Sequence, residues 1–121
     1  MAAVTYTHTN VQAFPYPAQL YQWAGIAAAA DTCNVLECPQ LRDKSVQIAG
    51  TFSAVTIAIH GSNDGTNYSV LEEPDGTAIT AIAADGIFQI GQLTRYVKVV
   101  PGGAAASAAI TVSLLGATGR V

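Results

Sequence analysis

Charge is what this sequence lacks most. Of its 121 residues, five are Lys or Arg and eight are Asp or Glu, 11% in all, against about 25% in ordinary soluble domains. A free monomer covers itself with charge to stay in solution, whereas a subunit built into an assembly can keep neutral surface for burial. The five cations are also scattered, as Arg42 and Lys44, Arg95 and Lys98, and Arg120. With no basic stripe and a net charge of −3, the chain has no electrostatic footprint for direct nucleic-acid binding and no attraction for an anionic membrane. Long apolar runs are missing too: no stretch reaches the roughly 18 residues of a membrane span. Met1 to Asn10 has neither a basic region nor an apolar core of the secretory kind, so synthesis and folding in a cytoplasm are expected.

Cysteine is nearly absent. Cys33 and Cys38 stand alone, without a second pair or neighbouring histidines, which is neither a zinc pattern nor the redox spacing. Two small buried thiols are the expectation in a reducing compartment. A disulfide closing the Asn34–Glu37 turn after release from the cell is the alternative.

Activated groups are equally sparse. The carboxylates are Asp31, Glu37, Asp43, Asp64, Glu72, Glu73, Asp75 and Asp85, and most fall in or beside turns, where Asp caps backbone and Glu is solvated. His8 and His60 lie on strand-like segments, with no nucleophile-elbow pattern beside them. Gly61-Ser62-Asn63-Asp64-Gly65-Thr66-Asn67 has one acid and lacks the alternating ligands of a calcium loop. Pro101-Gly102-Gly103 lacks the Lys-Ser/Thr of a phosphate cradle. No enzymatic activity, metal or cofactor is expected.

What is present is strand and turn. Val55, Ile57 and Ile59 alternate with Thr56, Ala58 and His60, a period-2 pattern repeated in Ser45–Gly50 and Arg95–Val100. Further strands are expected at Val4–His8, Gln19–Trp23, Tyr68–Leu71, Thr77–Ile82, Ile87–Ile90 and Ala109–Leu115, with a helical turn at Ala27–Ala30. Asp64-Gly65, Pro74-Asp75-Gly76 and Asp85-Gly86 supply the turns. Strands this short and regularly punctuated, without a helical period, predict an all-β protein, an antiparallel β-sandwich. Residues 1–30 differ from 31–121: Phe14-Pro15-Tyr16-Pro17 fixes extended backbone and forbids central-sheet pairing. They are read as an extended N-terminal arm or as edge strands, and 31–121 as the sandwich domain. On the arm reading, deleting Met1 to Trp23 is expected to cost partner binding more than folding.

From about Asp31 onward the sequence resembles a group of small bacteriophage virion proteins encoded near the major capsid protein. Asp43-Lys44-Ser45-Val46-Gln47-Ile48-Ala49-Gly50-Thr51-Phe52 is similar to that group's D-[RK]-S-V-Q-hydrophobic-x-G-T-F segment. Val55 to Gly65 resembles its alternating strand followed by G-S-N-D-G, with Tyr68 at an aromatic position. Leu71 with Pro74-Asp75-Gly76, Arg95-Tyr96-Val97-Lys98-Val99 and Gly102-Gly103 resemble its later strands and loops. The resemblance implies a jelly-roll-like sandwich without enzymatic activity, a capsid cement or decoration protein on the outer surface of the virion. Its implied partners are the major capsid protein and further copies of itself, as a dimer or trimer.

Contact residues for such a role are expected at Phe14, Tyr16, Tyr21 and Trp23, since Tyr and Trp bury large area at low entropy cost. The alternative for Trp23 is the sandwich's own core. Arg95 and Lys98 are candidates for pairing with capsid carboxylates, or else simply solvated. Two other functions fit the same fold. One is a tail or neck adaptor. The other is a carbohydrate-binding module, because Ser62 to Tyr68 is also similar to a loop of discoidin-like sandwiches.

Overall fold

The computed structural model describes residues 3–12, 18–103 and 107–117. Its strands are β1 (Ala3–Val4), β2 (Tyr6–Gln12), β3 (Ala18–Ile26), β4 (Thr32–Cys33), β5 (Leu36–Glu37), β6 (Asp43–Thr51), β7 (Val55–Ser62), β8 (Ser69–Val70), β9 (Gly86–Ile90), β10 (Tyr96–Gly103) and β11 (Ala109–Ala117). They form a five-stranded antiparallel sheet in the order β2-β3-β11-β6-β9 and a four-stranded antiparallel sheet in the order β5-β10-β7-β8. A short parallel pair, β1 with β4, lies beside them.

Alternation decides which faces meet. In β7 the side chains of Val55, Ile57 and Ile59 are buried, and in β10 those of Val97 and Val99. In the larger sheet Val46 and Ile48 of β6, Ile110, Val112 and Leu114 of β11, and Tyr21, Trp23 and Ile26 of β3 are buried. All belong to one hydrophobic cluster between the sheets, so the fold is an all-β sandwich. Each of these aliphatic side chains contributes about 1.5–3 kcal/mol on leaving water.

The N-terminal residues are part of this body. β2 is an edge strand, but β3 lies inside the sheet between β2 and β11, and Trp23 is fully buried. Deleting Met1 to Trp23 would therefore strip β11 of a partner and the core of its largest side chain, so the deletion is expected to cost folding as well as partner binding. The proline-bearing stretch that suggested an arm, residues 13–17, lies outside the described residues.

Three local departures from the sequence reading have physical reasons. Thr77–Ile82 is not a regular strand. Ala81 takes a positive φ of 55°, and the segment instead lies along β7 through isolated contacts: Ile59 N–H donates to Ile79 O, and Ile57 and Ile82 exchange both main-chain bonds. Pro101 does not end its strand; β10 continues to Gly103. Pro101 stands opposite Ile57, whose own N–H and C=O are turned toward Ile82, so no ladder donor is needed from the proline. Ala27–Ala30 is a turn held from outside: the Asp31 carboxylate accepts from the N–H groups of Ala27 (2.9 Å) and Ala28 (3.1 Å).

Candidate interaction surface

Strand register places the outward-facing side chains of the five-stranded sheet in rows. One row runs Thr9, Leu20, Leu115, Ser45, Gln89; the next runs Thr7, Gln22, Ser113, Gln47, Ile87. Thr111 and Ala49 continue the face on one side, and Ala18, Ala117 and Asp43 on the other. Asp43, at the margin, is the one ionisable side chain in these rows. Lys44, its neighbour in sequence, points the other way and is 3% exposed. The polar groups here are uncharged and partly satisfy each other, as where Gln22 Nε2 donates to Ser113 Oγ at 3.1 Å. Ile87 and Leu115 are exposed at 68% and 43%. A shallow groove of about 640 Å³ crosses the Asp43 end, lined by Ser45, Ile87, Gln89 and Leu115 and also by the charged residues Asp43, Lys44 and Glu73.

The opposite side of the sandwich is different. On the outer face of the smaller sheet Lys98 stands beside His60 and Val70, with its ammonium 5.3 Å from the centre of the Tyr68 ring. Arg95, at the start of β10, makes a 2.8 Å ion pair with Glu37 and lies 5.1 Å over Tyr96. Burial, and then the Lys98 charge, hold His60 below the ordinary histidine range. The nearby loop is rigidly made. Asp64 accepts from the N–H groups of Thr66 and Asn67, from the Asn67 amide and from the Ser62 hydroxyl. These bonds, Asn67 N–H foremost, keep its carboxyl well below the usual carboxylate range. The outer side of the smaller sheet thus carries Lys98 and, at its edge, the Arg95–Glu37 pair, whereas the rows of the five-stranded sheet carry charge only at their Asp43 end.

The residues singled out in sequence fall on different sides of this division. Phe14 and Tyr16 lie outside the described residues. Trp23 is in the core, its indole N–H shared between Asn34 O at 3.1 Å and Asn34 Oδ1 at 3.0 Å. Tyr21 is 6% exposed, stacked on His8 (ring centres 4.7 Å apart) and donating to Gln19 Oε1 at 2.6 Å. Neither ring presents a free face. Arg95 and Lys98 remain at the surface, on the charged side. The neutral face was missed because scarcity of charge in a sequence does not say where in space the uncharged positions gather; the signal was the absence of charge from β3 and β11 and from Ser45, Gln47 and Ala49 of β6.

Among the described residues, no group of three or more His, Cys, Asp or Glu is placed to hold a metal ion. Asp31, Asp64, Asp75 and Asp85 hold backbone in turns and loops. Cys33 and Cys38 are buried and unbonded. Burial, helped by the charge of Asp31, pushes the Cys33 thiol up to about 11, and burial raises Cys38 and Tyr21 as well. An acid whose pKa is raised by folding stabilises the fold fully below its unfolded value, and that contribution is lost as pH climbs through the folded one. Lys44, lowered by burial, has the opposite sign, its penalty easing as pH approaches 10.5. The large shift of Cys33 makes the urea midpoint fall between pH 9 and 11. In Cys33→Ala that fall should be shallower, with the pH 7 value the reference for each protein.

No protein-family model matches this sequence, and no curated protein matches it. Among solved structures, the chain is similar in fold to the SPBc2 prophage-derived protein YomS, with a TM-score of 0.63 over 89% of this chain and 99% of that one, at 13% identity. Chitosan-binding module 1 of a chitosanase/glucanase from Paenibacillus sp. IK-5 gives a TM-score of 0.36 over 88% of this chain and 73% of that one, at 15% identity. The first likeness bears on the fold; the second is too slight to carry an argument.

Proposed function

We propose that the chain is a structural subunit of a bacteriophage particle, a cement or decoration protein that lays the outer face of its five-stranded sheet on the assembled shell of major capsid protein. The observation that carries this reading is the uncharged face. Burying a charge without a partner costs several kcal/mol, whereas neutral amides, hydroxyls and aliphatic groups leave water cheaply when they are repaired by hydrogen bonds across the contact. A surface whose central rows carry no charge is suited to permanent burial, and charge confined to its Asp43 end gives it a defined way to sit. The resemblance of Asp43–Phe52 to virion proteins supports the phage assignment, as does the fold shared with a prophage-derived protein. Docking across junctions between capsid proteins adds contacts that internal pressure must break before the shell opens, and several copies joined together multiply that effect.

The test is retention on purified shells together with a density map of the particle. Gln47→Glu adds one charge at constant shape in the middle of the neutral face; it should weaken retention at least ~30-fold, equivalent to about 2 kcal/mol, while the thermal midpoint stays unchanged. Lys98→Glu, on the opposite side, should leave retention as it is. The reverse pattern would show that the charged face docks. Density confined to the tail or a single vertex would replace the cement role by that of an adaptor, and binding to glycans without binding to shells would replace both.

A further inference from the structure

Edge strands are templates for pairing, and proteins ordinarily blunt them with charge, proline, brevity or a cover. Most edges here follow that rule. β5 and β8 are two residues each, and the edge of β7 beyond β8 is closed by Ile79 and Ile82. β9 is five residues long, and the chain just beyond it is tied down where Gly91 N–H donates to Glu72 O. β9 has no Lys, Arg, Asp, Glu or Pro, and β2 is the longer of the two uncharged edges of the five-stranded sheet. It is seven residues, Tyr6-Thr7-His8-Thr9-Asn10-Val11-Gln12, likewise with no Lys, Arg, Asp, Glu or Pro among them.

Which of its backbone groups face outward follows from one hydrogen bond. Tyr6 N–H donates to the side chain of Asn34 at 3.0 Å, so Tyr6 is turned away from β3. Antiparallel strands alternate, which turns Thr7 and Thr9 toward their partners Gln22 and Leu20 and leaves the N–H and C=O groups of His8 and Asn10 on the open edge. Among the described residues neither has an outward main-chain partner. Asn34 closes the stretch at one end, and the bulge between Asn10 and Gln12 interrupts it at the other. The open segment is therefore symmetric about Thr9.

We infer that β2 pairs antiparallel with β2 of a second copy of this chain about a two-fold axis at Thr9. His8 of each copy exchanges both main-chain hydrogen bonds with Asn10 of the other. Thr9 meets Thr9 as the non-hydrogen-bonded pair, with its side chain on the neutral outer face, a cross-strand pairing that sheets favour. The occupant is a second copy because an isologous contact needs a self-complementary stretch, and this one is centred on a single residue and free of formal charge. Two molecules of net charge −3 repel each other elsewhere but meet no like-charge contact here. The two outer faces then join into one surface, so a dimer docks through twice the area of a monomer. That consequence rests on the proposed docking face; the pairing itself does not.

Cysteine cross-linking of the purified chain tests the register directly. In a non-hydrogen-bonded antiparallel pair the Cα atoms are about 4.5 Å apart, within disulfide reach. Thr9→Cys should therefore form a covalent dimer under mild oxidation. Thr7→Cys would face its own copy across about 14 Å and should cross-link at least ~10-fold more slowly. The native thiols, buried and raised in pKa, do not compete. By sedimentation the wild-type chain should show a concentration-dependent dimer, and Thr9→Lys, which sets two like charges face to face, should raise its dissociation constant at least ~10-fold with an unchanged circular-dichroism melt. Equal cross-linking of both cysteine variants, a monomer at every concentration, or a dimer indifferent to Thr9→Lys would each overturn the inference. A monomer whose Thr9→Lys variant alone leaves the particle would overturn it in favour of a strand donated by another protein. Failure of docking by Gln47→Glu is read on particles and leaves the sedimentation result untouched, so the two proposals fail separately.

Discussion

Replacing Trp23 by alanine is expected to lower stability by about 3–5 kcal/mol, the cost of emptying a large buried aromatic site. The side chain is 0% exposed and packs edge-on to Tyr6, with ring centres 5.4 Å apart. Its N–H is also the hydrogen-bond partner of Asn34, and Asn34 in turn holds the start of β2 through Tyr6 N–H. The substitution therefore leaves a cavity and loosens the clamp between β4–β5 and the edge strand. Trp23→Phe keeps most of the volume and forfeits the hydrogen bonds, for about 1–2 kcal/mol. Urea unfolding followed by far-ultraviolet circular dichroism checks both. Tryptophan fluorescence cannot, because Trp23 is the single tryptophan. A loss below about 1 kcal/mol for the alanine variant would mean that the ring is not packed as described. Against a total stability of about 5–15 kcal/mol, the expected loss leaves a substantial unfolded population at physiological temperature.

Gly50→Ala is expected to cost about 3 kcal/mol or more, from backbone strain and overpacking together. Gly50 sits near the end of β6 with φ of +136°, a conformation L side chains rarely adopt, and a Cβ there would run into the carbonyl oxygen of Ala109 on β11. The obstacle is backbone on the neighbouring strand, in register with Gly50 through Ile110, so relief requires the two strands to part. The same residue anchors the loop before β9, since its N–H donates to Asp85 Oδ1 at 3.0 Å. The urea midpoint should fall with little change in slope, because the variant loses native-state stability without altering the surface exposed on unfolding. By contrast, Gly76→Ala introduces a Cβ that meets nothing within 4 Å; its cost is the positive φ of 90° alone, so it should be the milder of the two.

Much of the fold is legible in the chain because alternation and packing agree. Val55, Ile57 and Ile59 announce a strand with one buried face, and the structure buries those three side chains. The failures occur where long-range partners decide. Thr77–Ile82 has the composition of a strand, yet only its contacts with Ile57 and Ile59 reveal that it serves as a cover for β7. Pro101 reads as a stop, and it is tolerated only because Ile57 is turned elsewhere. Tyr21 and Trp23 share a face by spacing, but nothing local says that this face looks inward. Lys44 is subtler still. One position in the motif Asp43–Phe52 turns a lysine into the interior, where its ammonium reaches the carbonyl of Leu41 at 3.0 Å, and the same alternation leaves Asp43 as the one charge of β6 on the outer face. The candidate surface is thus a property of register, which a one-dimensional reading does not contain.

The order of strands has a consequence for how the molecule comes into being. β11 follows every other strand in the chain but lies at the centre of the larger sheet, between β3 and β6. Leu115 must find Leu20 on one side and Ser45 on the other, closing two long loops. Until β11 has left the ribosome, β3 and β6 each lack a neighbour, and the five-stranded sheet exists only as separate pieces. Folding is accordingly a late, concerted event dominated by distant contacts, of the kind that takes milliseconds to seconds. During that interval the nascent chain exposes the two strand edges that the finished protein hides most thoroughly. Mispairing is favoured most then, before β11 stands between β3 and β6.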